Sequence, residues 1–275
     1  MQVMIIGAGG MLGRKLAARI AADGALEGKA VEALSLVDVF APEAPAGFAG
    51  KASCQAADLS APGVAAALVA SRPEVIVHLA AIVSGEAEAD FDKGYRINLD
   101  GTRLLFEAIR AEAAKAPYRP RVVFTSSIAV FGAPFPEVID DEFFCLREPL
   151  VGQEAVLPVE ESVRHWHASP RAAVGFLVRA ASMDLAPLGN RRTLNLPGLS
   201  ATVGEQIEAL RRVAGERAVK LIRREPDPTI ARIVAGWPEN FTATRAKTLG
   251  FAAETTFDEI IRVHIEDELG GTLPG

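Results

Sequence analysis

The sequence predicts an α/β fold, a doubly wound parallel sheet of the Rossmann type with a small α/β cap. Three observations at the start of the chain predict it. Val3 to Ile6 is a short apolar run, which indicates a buried strand because it is too brief for a helix. Three glycines follow at three-residue spacing, namely Gly7, Gly10 and Gly13. Met11 to Ala22 then continues as an Ala/Leu-rich helix, so strand, glycine turn and helix come in the order that a dinucleotide-binding turn requires.

A turn of this kind forms a cradle for a phosphate group. Glycines let the backbone turn sharply and approach a pyrophosphate, and the helix N-terminus attracts the anion. An incidental glycine turn is the alternative interpretation. If the turn binds a nucleotide, the candidate contacts are Gly7, Gly10, Met11, Leu12 and Gly13.

The length of 275 residues allows one large core with a small additional domain. We expect a Rossmann core over residues 1–145 and a cap over residues 146–275, with residues 160–183 returning to the core. An apolar content of 49% with 23% charged residues is typical of globular proteins. The net charge of −6 and the pI of about 5.4 give no electrostatic basis for binding nucleic acid or an anionic membrane.

The two cysteines, Cys54 and Cys145, form neither a disulfide framework nor a zinc-ligand spacing. Such usage fits a reducing compartment. The first residues lack the basic region of a signal peptide, and polar residues interrupt the apolar stretch from Ala65 to Val83. We therefore expect a cytoplasmic protein without a membrane span.

The second strand is expected at Ala33–Val37, and it ends at Asp38, 31 residues after Gly7. The usual distance is about 20 residues, and an insert from Asp23 to Lys29 explains the excess. A carboxylate at this position can hold both hydroxyls of an adenosine ribose and would repel a 2′-phosphate. Because no Arg or Lys closely follows Asp38, the sequence favours NAD over NADP. A solvated acid at a strand end is the alternative.

A second acid at a strand end is Asp58, which is followed by Leu59. It comes after a short strand expected at Gly50–Gln55 and before a helix expected at Pro62–Ser71. Its carboxylate can accept a hydrogen bond from the adenine amino group. A simple cap for the helix from Ser60 onward is an equal alternative.

Small residues follow the fourth strand, Glu74–His78, in the run Leu79-Ala80-Ala81. Such residues allow a flat cofactor to lie against the backbone. We interpret His78 as a satisfied strand residue rather than a catalyst, because nothing near it in the sequence resembles a partner. A loop rich in glycine and acids is expected over Ile82–Asp92.

A long amphipathic helix is expected at Tyr95–Ala114, and Asn98 comes early in it. Asn98 can bond the backbone or a water near the site, or lie on the helix surface. The fifth strand, Arg121–Thr125, leads into the hydroxyl residues Ser126 and Ser127. Hydroxyls at the carboxyl end of a central strand face the crevice where such sheets bind ligands.

The C-terminal half predicts short strands and helices in alternation. The expected strands are Ala155–Val159, Arg192–Leu196 and Val219–Arg223, with Val163–His167 leading back to the core. The expected helices are Pro170–Met183, Val203–Ala214 and Asp258–Leu269. No metal site is expected, because His165 and His167 have no acidic or cysteine partner at ligand spacing.

The motifs of the N-terminal half together resemble the extended short-chain dehydrogenases/reductases of the NAD-dependent epimerase/dehydratase group. These motifs are Gly7-x-x-Gly10-x-x-Gly13, Asp38, Asp58-Leu59, His78-Leu79-Ala80-Ala81, Asn98-Leu-Asp-Gly-Thr102 and Ser126-Ser127-Ile-Ala-Val-Phe-Gly132. Stretches of the C-terminal half resemble the sugar-acid dehydrogenases of that group, namely Arg147–Pro158, Arg164–Ser169 and Asp227–Pro238. The resemblance implies NAD-dependent oxidation of the 2-hydroxyl of a small sugar acid such as D-erythronate.

The resemblance also implies which residues contact the sugar acid. Ser127 matches the hydroxyl that bonds the substrate hydroxyl, and Ser126 and Ser84 are second choices. His165 or Arg171 would meet the carboxylate at the edge of the pocket, although a surface Arg171 is an equal alternative. The rival functions are a nucleotide-sugar epimerase or dehydratase and an inactive NAD-binding protein.

One motif of this family is absent from the sequence. The family carries a Tyr-x-x-x-Lys motif after its active-site hydroxyl, in which the tyrosine is the acid/base and the lysine lowers its pKa. The only tyrosines here, Tyr95 and Tyr118, precede Ser127, and neither has a lysine four positions later. The family's dimer interface uses the long helix and the helix that carries this motif, so a homodimer is implied for a complete chain.

Three interpretations of the absent motif stay open. The chain is a shortened, inactive form, or a segment of about fifty residues is missing near Phe144-Cys145, or an active-site region orders only on ligand binding. The family's fold has a helix and the following strand in this segment, and deleting them would uncover a parallel sheet that should be buried on both faces. The join Phe144-Cys145-Leu146 also contains no turn residue that would close such a gap. Both arguments favour a missing segment.

Overall fold

The computed structural model describes residues 1–26, 28–82, 84–126, 147–235, 237 and 239–273. They fall into two compact units. The first consists of Met1–Ser126 and Val174–Gly189, and the second of the described residues within Ser127–Ala173 and Asn190–Gly275. The return to the first unit thus begins at Val174 and not at residue 160, because Arg164–His167 pairs with a strand of the second unit.

The first unit is built on a parallel sheet. The strands of the first unit are β1 (Gln2–Ile6), β2 (Ala25–Leu26), β3 (Lys29–Ala30), β4 (Ala33–Asp38), β5 (Lys51–Ala56), β6 (Val75–His78) and β7 (Arg121–Phe124). In the described part of the chain the order across the sheet is β5-β4-β1-β6-β7, all parallel, while β2 and β3 form a separate antiparallel pair. The chain therefore winds outward from β1 in both directions.

Helices cover both faces of this sheet. They are α1 (Met11–Asp23), α2 (Val64–Val69), α3 (Ser84–Ala89), α4 (Phe91–Gly94), a π-helical segment (Tyr95–Gly101) and α5 (Thr102–Lys115). Side chains alternate along β1, so Val3 and Ile5 face α1 and the returning segment, while Met4 and Ile6 face α2 and α5. The predicted doubly wound Rossmann-type fold is confirmed.

Two expectations for the first unit were wrong in detail. The region 82–92 contains α3 and the start of α4, where a loop was expected, because Asp90 caps α4 by accepting a hydrogen bond from the Lys93 N–H at 3.0 Å. The expected helix over 95–114 begins as the π-helical segment and ends at Lys115.

The second unit combines two small sheets with helices. Its elements are α6 (Arg147–Leu150), β8 (Ala155–Leu157), β9 (Arg164–His167), α7 (Pro170–Ser182, which continues into the first unit), β10 (Leu199–Thr202), α8 (Val203–Val219), β11 (Ile222–Arg224), α9 (Pro228–Val234), α10 (Thr244–Thr248) and α11 (Phe257–Glu268). β9 pairs antiparallel with β10, and β8 pairs parallel with β11. A core of aliphatic residues from β8, α8, α9 and α11 holds this unit together.

The strand expected at Arg192–Leu196 lies instead at β10. In the structure, Leu199–Thr202 carries the register opposite β9, and the Trp166 indole N–H donates to the Leu196 carbonyl at 3.2 Å. Thr202 then begins α8 with a capping box in which the Thr202 hydroxyl and the Glu205 carboxylate each accept from the other's backbone N–H. Within the described ranges, no helix is both long and apolar enough to cross a membrane.

Candidate cofactor site

The glycine turn lies at the carboxyl end of β1. Gly7 has a φ of +89°, a conformation that favours glycine, and the N–H groups of Gly7 and Ala8 donate to the Val37 carbonyl of β4 at 2.8 and 3.1 Å. A Cβ on Gly13 would lie 2.2 Å from the Gly7 carbonyl oxygen. The first turn of α1 is therefore pressed against the glycine turn.

Gly10 differs from Gly13 because Gly10 is exposed to solvent, whereas Gly13 is buried. An added Cβ would meet nothing closer than the Gly7 oxygen at 3.5 Å. Gly10 is the N-cap of α1, and no side chain caps this helix. The first N–H groups of a helix have no intrahelical acceptors, so Met11, Leu12 and Gly13 present donors and a positive dipole end at the turn.

Asp38 lies beside this turn at the end of β4. Its Oδ2 accepts from the Gly9 N–H at 2.9 Å, and its Oδ1 accepts from the Val39 N–H at 2.7 Å. Each carboxylate oxygen has two acceptor directions, so both can take a further donor such as a ribose hydroxyl. The glycine turn and Asp38 therefore form one site.

Arg14 is a basic residue of this site that the sequence analysis missed. Its guanidinium donates to the Gly9 carbonyl at 3.0 Å, and the N–H of the same Gly9 donates to Asp38. The prediction of cofactor preference considered only basic residues that follow Asp38, and Arg14 precedes it. The cue that would have found Arg14 is its position one residue after Gly13, in the first turn of α1.

The segment after β6 also reaches the glycine turn. The Leu79 N–H donates to the Ile6 carbonyl at 2.8 Å, and a Cβ on Gly7 would lie 2.7 Å from the Ala80 nitrogen. Ala81 follows and is exposed. The backbone of Leu79 and Ala80 therefore approaches so closely that position 7 requires a glycine.

Asn98 contacts the backbone, one of the alternatives left open for it. Its Oδ1 accepts from the Ile82 N–H at 2.9 Å, and its Nδ2 donates to the Ile82 carbonyl at 3.0 Å. Both polar atoms of the side chain thus hold the segment that follows Leu79–Ala81. Asn98 thus fixes that segment, and its Nδ2 keeps a second N–H donor while its Oδ1 keeps a second acceptor direction.

Asp58 lies two residues after β5, whose last residue, Ala56, pairs with Asp38, and the Ala57 N–H donates to the Asp38 carbonyl at 2.7 Å. Its Oδ1 accepts from the Ser60 N–H at 2.9 Å and from the Ser60 hydroxyl at 2.6 Å, while Oδ2 accepts from Arg96 at 2.8 Å. These hydrogen bonds, the Ser60 hydroxyl first, hold the pKa of Asp58 below its ordinary value. Leu59 is buried against α2 and α5.

His78 is buried within β6, and one of its ring nitrogens lies 3.0 Å from the Thr102 hydroxyl. Burial lowers the pKa of His78 to about 4. A neutral, buried imidazole bonded to a helix residue agrees with a role in the strand core rather than in proton transfer.

Of the serines expected to contact a sugar acid, the structure describes Ser126 and Ser84 but not Ser127. Ser126 is exposed and lies two residues after β7. The residue between them, Thr125, donates its N–H to the His78 carbonyl of β6. Ser84 is the first residue of α3. Ser127 and the Phe144-Cys145 join lie outside the described residues.

His165 and Arg171 already have other surroundings in the second unit. His165 is buried on β9, where desolvation lowers its pKa, and its ring lies 5.2 Å from the Trp237 ring. Arg171 pairs with Asp267 and Glu266 on α11. The structure thus places His165 as a buried imidazole and Arg171 as a guanidinium engaged by two carboxylates, and contact of either residue with a substrate carboxylate stays a prediction. The described residues contain no cluster of three or more side chains that could hold a metal ion.

Comparisons with known proteins place the chain in a family. A model of the NAD dependent epimerase/dehydratase family matches residues 3–155. The D-erythronate dehydrogenase of Cupriavidus necator is 35% identical, covering 97% of this chain and 98% of that protein. The enzyme of the same name from Haemophilus influenzae is 31% identical, covering 98% and 100%.

Among solved structures, the nucleoside-diphosphate-sugar epimerase from Agrobacterium tumefaciens is 56% identical, with a TM-score of 0.93 and coverage of 100% of this chain and 96% of that one. L-threonine 3-dehydrogenase from Trypanosoma brucei is 19% identical with a TM-score of 0.79, a likeness of fold.

The alignment with the C. necator protein also bears on the absent Tyr-x-x-x-Lys motif. It is 325 positions long, whereas this chain has 275 residues, so at least 50 aligned positions of that relative have no counterpart here. The number of these positions is close to the roughly fifty residues that one of the three interpretations of the absent motif requires. With a family match over more than half of its residues and relatives aligned along nearly its whole length, the chain belongs to the NAD-dependent epimerase/dehydratase family.

Proposed function

We propose that this protein is an NAD-dependent oxidoreductase that oxidises the 2-hydroxyl of a small sugar acid such as D-erythronate. The observation that carries the proposal is the Asp38 carboxylate bonded to the glycine turn, beside an open position at Gly10. Two relatives that align over nearly the full chain are named D-erythronate dehydrogenase, which supports the substrate.

The residues of the first unit fit a dinucleotide. The open side of the turn at Gly10 and the uncapped N-terminus of α1 suit a pyrophosphate, and Asp38 suits the adenosine ribose. Leu79, Ala80 and Ala81 would line the flat face of the cofactor, with Asn98 fixing the segment after them. When bound, NAD supplies the hydride acceptor.

The substrate side rests on the family resemblance. Ser127 would donate or accept a hydrogen bond at the substrate hydroxyl, and Ser126 and Ser84 are second choices for substrate contacts. We expect Ser127→Ala to reduce turnover strongly while leaving NAD affinity intact, as measured by NADH formation and by equilibrium titration. Unchanged turnover would remove Ser127 from the mechanism.

Turnover depends on a proton acceptor that this chain does not contain. No tyrosine of the sequence has a lysine four positions later, so the 275-residue chain lacks the acid/base that the resemblance implies. An intact mass about 5 kDa above 29.1 kDa, at the mean residue mass of this chain, would show a longer protein. We expect D-erythronate oxidation from that longer protein, and NAD binding without turnover from a chain of 29.1 kDa.

The cofactor preference follows from two opposite charges at one turn. The Asp38 carboxylate would repel the 2′-phosphate of NADP, while Arg14, bonded to Gly9, places a positive charge nearby. We propose NAD as the preferred cofactor. Arg14→Ala should then widen the preference for NAD over NADP, and a narrowed preference would show that Arg14 does not act on the 2′-phosphate.

A second candidate function is a nucleotide-sugar epimerase or dehydratase. It is favoured by the 56% identical structure, which is described as a nucleoside-diphosphate-sugar epimerase. Incubating the longer protein with UDP-glucose and NAD separates the two functions. A new sugar nucleotide with no net NADH formation would support the epimerase, and NADH formation from D-erythronate would support the dehydrogenase.

We also propose a homodimer for the complete chain. An apolar stripe runs along α4, the π-helical segment and α5, formed by Phe91, Tyr95, Leu99 and Phe106, each about half or more exposed. Such a stripe is typical of an interaction surface, and it lies on the helix through which the family resemblance implies dimerisation. A monomer of the complete chain in gel filtration would contradict this.

The proposed compartment is the cytoplasm. Cys54 is exposed on β5 and is a free thiol. Exposed free thiols persist in reducing compartments. Fractionation of cells that express the protein would test this placement.

A further inference from the structure

Arg96 lies on the π-helical segment, and its side chain reaches Asp58, 38 residues earlier in the chain. One guanidinium nitrogen, Nη1, donates both to Asp58 Oδ2 at 2.8 Å and to the Ser60 hydroxyl at 2.6 Å. The Ser60 hydroxyl in turn donates to Asp58 Oδ1. The three side chains form a closed ring of hydrogen bonds.

This ring leaves one acceptor position on Asp58 unused. Oδ1 already receives the Ser60 N–H and the Ser60 hydroxyl, whereas Oδ2 receives only Arg96. An ionised carboxylate has two acceptor directions on each oxygen and no donor. The remaining direction on Oδ2 can take a donor such as an amino group, and it repels a carbonyl oxygen.

The position of Asp58 suits the base of a dinucleotide held at Asp38. β4 and β5 are adjacent parallel strands about 5 Å apart, and at their carboxyl ends Asp38 is the last residue of β4 and Asp58 lies two residues after β5. A base attached to a ribose at Asp38 can therefore reach Asp58. This step rests on the proposed NAD function.

The local backbone brings Arg96 to this place. The π-helical segment is an uncommon conformation that is frequent at functional sites. At Gly101 an added Cβ would lie 3.7 Å from the Ser60 nitrogen and 3.8 Å from Leu59, so the segment runs close beside the residues around Asp58. The ion pair is part-exposed on both sides, and such pairs add little to folding stability.

We propose that Arg96 is a positioning residue that, with Ser60, fixes the Asp58 carboxylate so that Oδ2 selects an amino group on the bound base. The protein should therefore distinguish NAD, whose adenine carries a 6-amino group, from nicotinamide hypoxanthine dinucleotide, which carries a carbonyl oxygen there. Arg96 sets this selectivity without being a catalytic residue.

The test measures dissociation constants of both dinucleotides by calorimetry on the full chain. The wild type should bind NAD about tenfold or more tightly than the hypoxanthine analogue, since a hydrogen bond to a charged group carries the difference. Arg96→Ala should reduce the ratio to about threefold or less, mainly through weaker NAD binding. Arg96→Lys, which keeps the charge but loses the geometry, should recover part of the ratio.

Arg103→Ala is the matched control. Arg103 lies on α5 and pairs with Asp100, so its removal also breaks one exposed ion pair of the same helical stretch. For Arg103→Ala, the ratio of the dissociation constants of the two dinucleotides should equal that of the wild type. An Arg96→Ala ratio like the wild type, or equal weakening of both dinucleotides, would overturn the proposal. A wild type that binds both equally would overturn it as well, whereas a wild type that binds neither would overturn the NAD function itself.

Discussion

The contact between Gly13 and the glycine turn makes Gly13→Ala a severe substitution. The new Cβ would lie 2.2 Å from the Gly7 oxygen and 2.7 Å from the Ala8 Cα, and both are backbone atoms that cannot rotate away. Overpacking usually costs about 1–3 kcal/mol, and a backbone clash belongs at the upper end. We expect the free energy of unfolding to fall by about 3 kcal/mol, which corresponds to a Tm lower by about 6–12 °C.

Gly10→Ala is the matched control within the same turn. Gly10 has a φ of −68°, which any residue adopts, and its added Cβ would meet only the Gly7 oxygen at 3.5 Å. Its unfolding free energy should therefore stay within about 0.5 kcal/mol of the wild type. The methyl group would, however, stand where a pyrophosphate approaches the backbone, so NAD affinity should fall at least about tenfold.

The assay combines thermal unfolding with NAD titration for both variants. Each variant should change a different quantity: Gly13→Ala lowers Tm, and Gly10→Ala lowers NAD affinity at an unchanged Tm. If Gly13→Ala unfolds like the wild type, the packing of α1 on the turn is not as described. If Gly10→Ala binds NAD like the wild type, the open side of the turn is not the phosphate cradle.

Three further predictions concern Asp38, the two buried histidines and Asn98. Asp38→Ala should weaken NAD more than NADP, because the ribose loses its acceptor while the 2′-phosphate loses a repulsion; equal loss in titrations would exclude Asp38 from the ribose site. Burial holds the pKa of His78 and of His167 at about 4, so only the unfolded chain gains these protons below pH 6.5. Stability should fall between pH 6.5 and 4, by about 2 kcal/mol for each histidine at pH 5, and urea unfolding that gives equal stability at pH 7 and 5 would contradict this. Asn98→Ala leaves the Ile82 backbone without its partner and should cost about 1–2 kcal/mol in urea unfolding, and an unchanged midpoint would refute that assignment.

The first unit was predictable because its signals are local. The buried β-branched run of β1, the glycines at three-residue spacing and the acid that ends β4 are each recognised from a few neighbouring residues. The same reasoning found the small residues after β6, which lie against Gly7.

What the sequence could not show depends on contacts between distant residues. Arg96 reaches Asp58 through a π-helical segment, and a helix pattern does not reveal that change of register. Arg171 was expected at a carboxylate of the substrate, but its partners are carboxylates of the chain itself, 95 and 96 residues later. The register of β10 depends on β9, which is why that strand was misplaced.

The central claim is that the first unit of this chain binds NAD at the glycine turn and Asp38. Its most direct test is an equilibrium titration of the 275-residue chain with NAD and, in parallel, with NADP. We expect saturable binding at one site per chain, tighter for NAD than for NADP. No binding of NAD, or equal affinity for the two dinucleotides, would contradict it.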